Sequence, residues 1–208
     1  MEFNIKSFRE LKKYIAADLY RYMTSTSLRS FLRAWYIAGF RYCFFMRCCK
    51  YFYYKPLYKI IFFLCRIILR HYSIKYGFQI PWQTNIGPGL FIGHYGTIIV
   101  NPNSTIGINC NISIGMLIGL SHKLGENGRS LGFQYPWIGN RVSIGNNAKI
   151  IGGVKIKDGA VIGISSVITH DIEENEVVVG IPAHKISDNG SKGYVGSFHP
   201  WTVNLMKA

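Results

Sequence analysis

The chain has 208 residues, 49% of them hydrophobic, enough to bury a core without staples and too many for a disordered chain. Its formal net charge of +14 is unevenly placed: residues 1–76 hold 15 Lys and Arg against three acids (Glu2, Glu10, Asp18), while residues 77–208 hold nine against seven. Five cysteines (Cys43, Cys48, Cys49, Cys65, Cys110) make an odd number without metal-ligand spacing, and no apolar signal-peptide core opens the chain, so a reducing cytoplasm is the expected compartment.

Residues 1–76 read as a basic, aromatic helical region. A helix over residues 7–22 starts at Ser7, with Glu10 three residues on completing a capping box, and Thr24 to Ser27 interrupts it. A second helix is expected from Leu28 to Ala38, ended by Gly39, and a third from the forties to Arg70 with a stop or kink at Pro56. The apolar run Leu57 to Leu69 is broken by Lys59 and Arg66 and is too short to span a bilayer. Cations and aromatics interleave from Arg41 to Lys55. Two readings stand side by side: a cap that packs on the following domain and on neighbouring subunits, or a surface resting on anionic membrane with its aromatics at headgroup level. No nucleic-acid-binding motif accompanies the charge, so no nucleic-acid partner is expected.

From residue 77 the pattern changes. Twelve isoleucines keep a six-residue register: Ile86, Ile92, Ile98; Ile106, Ile112, Ile118; Ile138, Ile144, Ile150; Ile156, Ile162, Ile168. Seven are followed directly by glycine. A period of six fits the two-residue alternation of strands and not the helical turn, so the expected fold is mainly β: a parallel β-helix of hexapeptide repeats behind an α-helical N-terminal region. Three hexads make one triangular coil. Four coils begin near residues 86, 106, 138 and 156, with a partial fifth at Val177 to Ile181. The phase slips, two extra residues between Ile98 and Ile106 and fourteen between Ile118 and Ile138, are expected to fall between coils. Glycines and the asparagines Asn109, Asn111, Asn140, Asn146 and Asn147 are assigned to corners, where positive φ is tolerated. The β-helix domain is set at 77–187 with an extruding loop over 120–137, and the Gly-rich residues 188–208 are expected to be a mobile tail.

The motifs Gly93-His-Tyr-Gly-Thr97, Ile144-Gly-Asn-Asn-Ala-Lys-Ile-Ile-Gly-Gly153 and Gly180-Ile-Pro-Ala-His-Lys-Ile186, with a weaker Asp18-Leu-Tyr-Arg-Tyr22, carry a resemblance to the left-handed β-helix acyltransferases. Within them the chain resembles the serine acetyltransferase-like branch, which includes enzymes that O-acetylate bacterial surface polysaccharides. The resemblance implies acetyl transfer from acetyl-CoA to a hydroxyl, with His94 as the catalytic base: an alcohol's pKa lies far above 7, so a neutral imidazole must take its proton as the oxygen attacks the thioester. Backbone N–H groups in the Gly-rich loops are candidates to stabilise the oxyanion. It further implies that Lys149, His184 and Lys185 meet the coenzyme A phosphates, that Gly119, Ala148, Ala160 and Ser165 let the pantetheine arm lie close to the wall, and that Tyr95, Asn101, Gln134, Tyr135 and Trp137 contact the acceptor. The implied assembly is a homotrimer, with trimers paired through the N-terminal helices as a further option.

Three departures from the serine enzymes shape the expected acceptor. Their aspartate before the first coil is Pro81 here, the one before the histidine is Gly93, and an Arg-His pair ahead of Pro136 is Gln134-Tyr135. A neutral glycan hydroxyl on a surface polysaccharide or its precursor is therefore the expected acceptor, with serine or another small molecule as the alternative and a non-enzymatic scaffold behind both. With no carboxylate between Asp18 and Glu126, His94 is expected to be oriented by a carbonyl, by an amide such as Asn101 or Asn103, or by another coil or subunit. Zinc sites built on the same fold need three converging histidines, a spacing His94, His122 and His170 do not provide, so no metal is expected.

Overall fold

The computed structural model describes residues 2–124, 127 and 129–207. Helix α1 (Phe8–Met23) opens as its sequence dictates: the Ser7 hydroxyl accepts the Glu10 N–H at 3.1 Å while the Glu10 carboxylate accepts the Ser7 N–H at 2.8 Å. It closes at Thr24, in the left-handed region at φ 52°. Helix α2 (Leu28–Ala34) is shorter than expected: it stops at Trp35, which stacks on Phe31 and meets Phe44 edge-on, and Ile37 is extended as the N-cap of the next helix. Gly39 does not end a helix. It lies in the first turn of α3 (Ala38–Tyr53), where an added Cβ would stand 2.2 Å from the Ile92 carbonyl oxygen, so glycine lets this helix touch the β-domain backbone. Pro56 opens a short 3₁₀ turn (Pro56–Tyr58), after which α4 (Lys59–Tyr76) packs back against α3 and ends on Gly77 at φ 75°.

A left-handed parallel β-helix follows, its three faces built by sequence-distant strands in parallel register. The first face stacks Asn85–Ile86, Thr105–Ile106, Trp137–Ile138 and Lys155–Ile156, with Ile86, Ile106, Ile138 and Ile156 above one another. On the second, Ile92, Ile112, Ile144, Ile162 and Val178 form the column, and the third stacks Phe78–Gln79, Ile98–Val100, Leu117–Gly119, Lys149–Ile151 and Val167–Ile168. All twelve isoleucines of the repeat are at most 1% exposed, which makes them the core. The partial fifth coil is present as Val177–Gly180 on the second face, closed by the antiparallel strand Ala183–Ser187. Asn109 and Asn147 take left-handed corners at φ 58° and 60°, whereas Asn111 opens a strand.

The C-terminal residues are not a loose tail. Helix α5 (Pro200–Lys207) packs Trp201, Leu205 and Met206 against Phe3, Leu11, Tyr14 and Ile108, and Thr202 accepts a hydrogen bond from the Asn109 amide at 3.0 Å. Apolar residues spaced over two turns give the segment a buried side, which composition alone conceals.

One buried ion pair joins the helices to the coil. Asp18 of α1 and Arg47 of α3, each 1% exposed, meet at 2.9 Å. Arg47 also donates to the carbonyls of Ile86 and Gly87, both at 2.7 Å, and Asp18 accepts the N–H groups of Gly89 and Leu90 at 2.8 and 3.0 Å. Every charge is met, so removing one member leaves the other buried and unpaired. Arg47→Ala should lower stability by about 3–5 kcal/mol, and Asp18→Ala combined with Arg47→Ala should cost less than the two single changes summed; urea denaturation of the four proteins measures both.

Corners stack as tightly as strands. Gly115, at φ 75°, sits over Asn147, whose Oδ1 would lie 1.8 Å from an added Cβ, whereas a Cβ at Gly119 would find its nearest neighbour at an ordinary 3.7 Å. Gly115→Ala should therefore destabilise by roughly 1–3 kcal/mol and Gly119→Ala by much less, a contrast that thermal unfolding reads directly.

Candidate active site

His94 stands where the coil is enlarged. From Ile112 to Ile118, Ile144 to Ile150 and Ile162 to Ile168 the chain turns from the second face to the third in six residues, but the residue stacked over Ile118 is Val100, eight after Ile92. The two extra residues thus lie inside the Gly93–Thr97 corner. They do not fall between coils as the isoleucine register suggests, because Ile98 also points inward, beneath Phe78, and occupies the expected phase. The corner bulges outward and carries His94 and Tyr95, the latter 72% exposed.

The frame under this bulge is rigid. Ile92 donates its N–H to the Tyr22 hydroxyl at 2.9 Å, Gly96 donates to the Tyr76 carbonyl at 2.8 Å, and Gly115 of the next coil donates to the Thr97 carbonyl at 2.6 Å. Burial holds the Tyr22 phenol well above its ordinary pKa, so it stays protonated. Among the described residues no side chain hydrogen-bonds the His94 ring. Asn101, expected to orient it, accepts the Asn103 N–H at 3.0 Å and closes its own turn.

Down the same edge lie Ile114 and Gly115, then Asn146 and Asn147, then Ile164 and Ser165, linked by hydrogen bonds from Asn147 N–H to Ile114 O and from Ser165 N–H to Asn146 O, both 2.8 Å. Ser165 is exposed there at φ 58°, and the Lys149 ammonium donates to the Gly115 carbonyl, so these two share the His94 edge. Gly119 is half-buried at the far end of the third face. Ala148 and Ala160 are fully buried and face the interior, which corrects their assignment to a groove wall: their small size fits them inside the coil. His184 and Lys185 are exposed on the closing strand of the second face; Asp188 at 2.6 Å and Glu176 at 3.3 Å engage Lys185 and raise its pKa.

The fourteen-residue insertion is a hairpin of Ser121–Leu124 and Ser130–Gln134, leaving from the opposite corner of the third face. His122 lies against Phe133 and is 2.7 Å from the Ser130 hydroxyl, a local structural role. Glu126 lies outside the described residues. Gln134 and the half-buried Tyr135 sit at the hairpin's exit, Gln134 against Gly153. Trp137 is on the first face and lines, with Phe3, Leu205 and Met206, a cavity of about 120 Å³ beside α5. One chain therefore does not bring Gln134, Tyr135 and Trp137 to His94. Their assignment to the acceptor fails within a single copy, since spacing along a coil says nothing about which corner a residue occupies.

Two cations that brace the coil have partners that a motif does not reveal. Arg47 is one, and its signal was Asp18, the last acid before Glu126 and thus in need of a partner. Arg21 is the other: it donates to the Asn111 side chain and lies over the rings of Phe91 and Phe198, and burial lowers its pKa to about 10. Among the described residues no group of three or more His, Cys, Asp or Glu could hold a metal ion.

No family model matches the chain. Curated relatives do: the serine acetyltransferase of Bacillus subtilis is 32% identical over 131 residues, 63% of this chain and 58% of that protein, and the serine acetyltransferase of Staphylococcus aureus is 34% identical over 114 residues, 55% and 51% respectively. The chain thus spans little more than half the length of these relatives. Among solved structures, Neisseria gonorrhoeae serine acetyltransferase superposes with a TM-score of 0.68 at 27% identity, covering 89% of this chain and 69% of that one, and its complex with serine gives 0.67 at 26%, covering 87% and 71%. The Brucella abortus enzyme, at 22% identity and a TM-score of 0.70 over 89% and 72%, shares the fold.

These neighbours correct the expectation of a polysaccharide acceptor, because each is a serine acetyltransferase and one was solved with serine itself. The missing motif charges were a poor guide: they show which positions do not bind an ionic acceptor, not that none is bound, and cations abound elsewhere in the chain. In sequence and in fold, the chain is a hexapeptide-repeat β-helix protein similar to the serine acetyltransferases, which supports a hexapeptide-repeat acetyltransferase.

Proposed function

We propose that the chain transfers an acetyl group from acetyl-CoA to the hydroxyl of a small molecule, serine being the acceptor named for its relatives. The observation that carries this reading is the two-residue enlargement of one corner, which sets an exposed histidine on an otherwise regular coil edge. In this mechanism His94 takes the hydroxyl proton as the oxygen bonds to the thioester carbon, and the negative charge that builds on the carbonyl oxygen meets backbone N–H groups. Collapse of the tetrahedral intermediate breaks the carbon–sulfur bond, and the imidazolium returns its proton to the departing thiolate. Lys149 and Ser165, on the same edge, are proposed to meet the donor.

The site is proposed to be completed in a homotrimer. Supporting this, the hairpin exposes Leu124, Leu131 and Phe133 at 58%, 61% and 59%, an apolar surface that one chain leaves uncovered. Light scattering at micromolar concentration should give three times the mass of one chain or a multiple of it, and a monomer would rule this assembly out.

Release of free coenzyme A thiol, followed with a chromogenic disulfide, tests the activity. Thiol release should require serine, and His94→Ala should slow it by roughly 10²-fold or more with melting temperature and oligomer mass unchanged. Absence of serine-dependent release by the folded protein would reject the proposed acceptor; near-normal turnover in His94→Ala would reject the proposed base.

A further inference from the structure

The outer side of α4 is the least explained surface of the molecule. Its inner side packs Cys65, Leu69 and Tyr76 into the core, yet Leu57 in the preceding turn and Ile60, Phe63, Leu64, Ile67 and Ile74 on the helix are more than half exposed, from 54% at Leu64 to 93% at Leu57. At 3.6 residues per turn, the five on the helix share an arc of about 100°. Lys59, Arg66 and Arg70, all exposed, run along one border of that arc. An apolar stripe this continuous is covered by something when the protein works.

Charge decides what covers it. Residues 28–76 contain ten Lys and Arg and no Asp or Glu, and eight of the ten are not buried. A second copy docking by the same face would set these cations against their own equivalents. An anionic lipid surface complements both features, taking the apolar stripe into the acyl boundary while the basic border meets phosphates. The same Arg66 and Arg70 that flank the stripe also line a cavity of about 660 Å³ with Ser73, Gln79, Trp82 and Gln83, which places two guanidinium groups at a recess beside the stripe. No described helix is long and apolar enough to cross a membrane, so the contact is one of lying on the surface.

The geometry points to α4 as a peripheral membrane-docking helix that binds anionic phospholipid. Of the two readings of the N-terminal region, this assigns the membrane to the outside of α4 and leaves packing to α1 and α3.

Co-sedimentation of the full chain with phosphatidylglycerol-containing vesicles and with pure phosphatidylcholine vesicles tests it. Binding should be at least about tenfold stronger to the anionic vesicles and should weaken steeply from 0.1 to 0.5 M NaCl, because the Debye length shrinks below about 10 Å over that range. The triple change Ile60→Ser, Phe63→Ser, Ile67→Ser, and separately Arg66→Gln with Arg70→Gln, should each reduce binding about tenfold or more without lowering the melting temperature. No binding to anionic vesicles, or binding that ignores both sets of changes, would overturn the assignment. So would sedimentation velocity without lipid showing that the triple variant forms a smaller oligomer than the parent, since a second copy would then cover the face.

Discussion

The Asp18–Arg47 pair is the joint on which the working geometry depends. It ties two helices to the backbone of residues 86–90, the stretch that feeds directly into the His94 corner. Two charges taken out of water are stable only when every lone pair and proton is matched, and here the matching groups are the carbonyls and N–H groups of one turn of the coil. The pair therefore fixes position as much as it stabilises. Tyr22, one turn along α1, extends the same grip to Ile92, so the base of the bulge is held from one side by helix and from below by the next coil.

A β-helix coil is a poor place to put a reactive side chain, since alternate residues point into a filled core and the corners must stack with tight tolerances. The chain resolves this by lengthening a single corner. Two surplus residues release His94 from the stack while the strands on both sides keep their ladder partners. The hairpin is the same device at larger scale, an insertion looped out between Ile118 and Ile138 without breaking the register of the third face. Repeat architecture tolerates such additions because each coil contacts only its neighbours.

Basicity and the candidate site are segregated. The β-helix is nearly neutral and carries the edge with His94, Lys149 and Ser165, whereas the helical layer concentrates the positive charge. Of its cations, Arg47 and Lys50 are buried and hydrogen-bonded to coil carbonyls, and most of the others face solvent. The helical layer thus has an inward task, holding the coil, and an outward surface that the coil does not need.

By itself the sequence determined the repeat. A six-residue isoleucine period admits one kind of backbone, and all twelve side chains are buried in its core. The capping box at Ser7 and the break at Thr24 were equally legible, because caps act within a few residues. What only the tertiary structure decided involves partners far apart in the chain. The surplus residues at the His94 corner were invisible because Ile98 and Val100 both point inward, and only pairing with Phe78 and Ile118 tells them apart. Gly39 reads as a helix breaker until the Ile92 carbonyl lies beside it, and Arg47 reads as one cation among many until Asp18 is seen against it. Residues 188–208 look like a tail because Trp201 and Leu205 reveal a buried side only when Tyr14 and Ile108 are there to receive it. Local propensity and periodicity reach a few residues, whereas each of these contacts closes over tens, and nothing in the spacing along the chain encodes them.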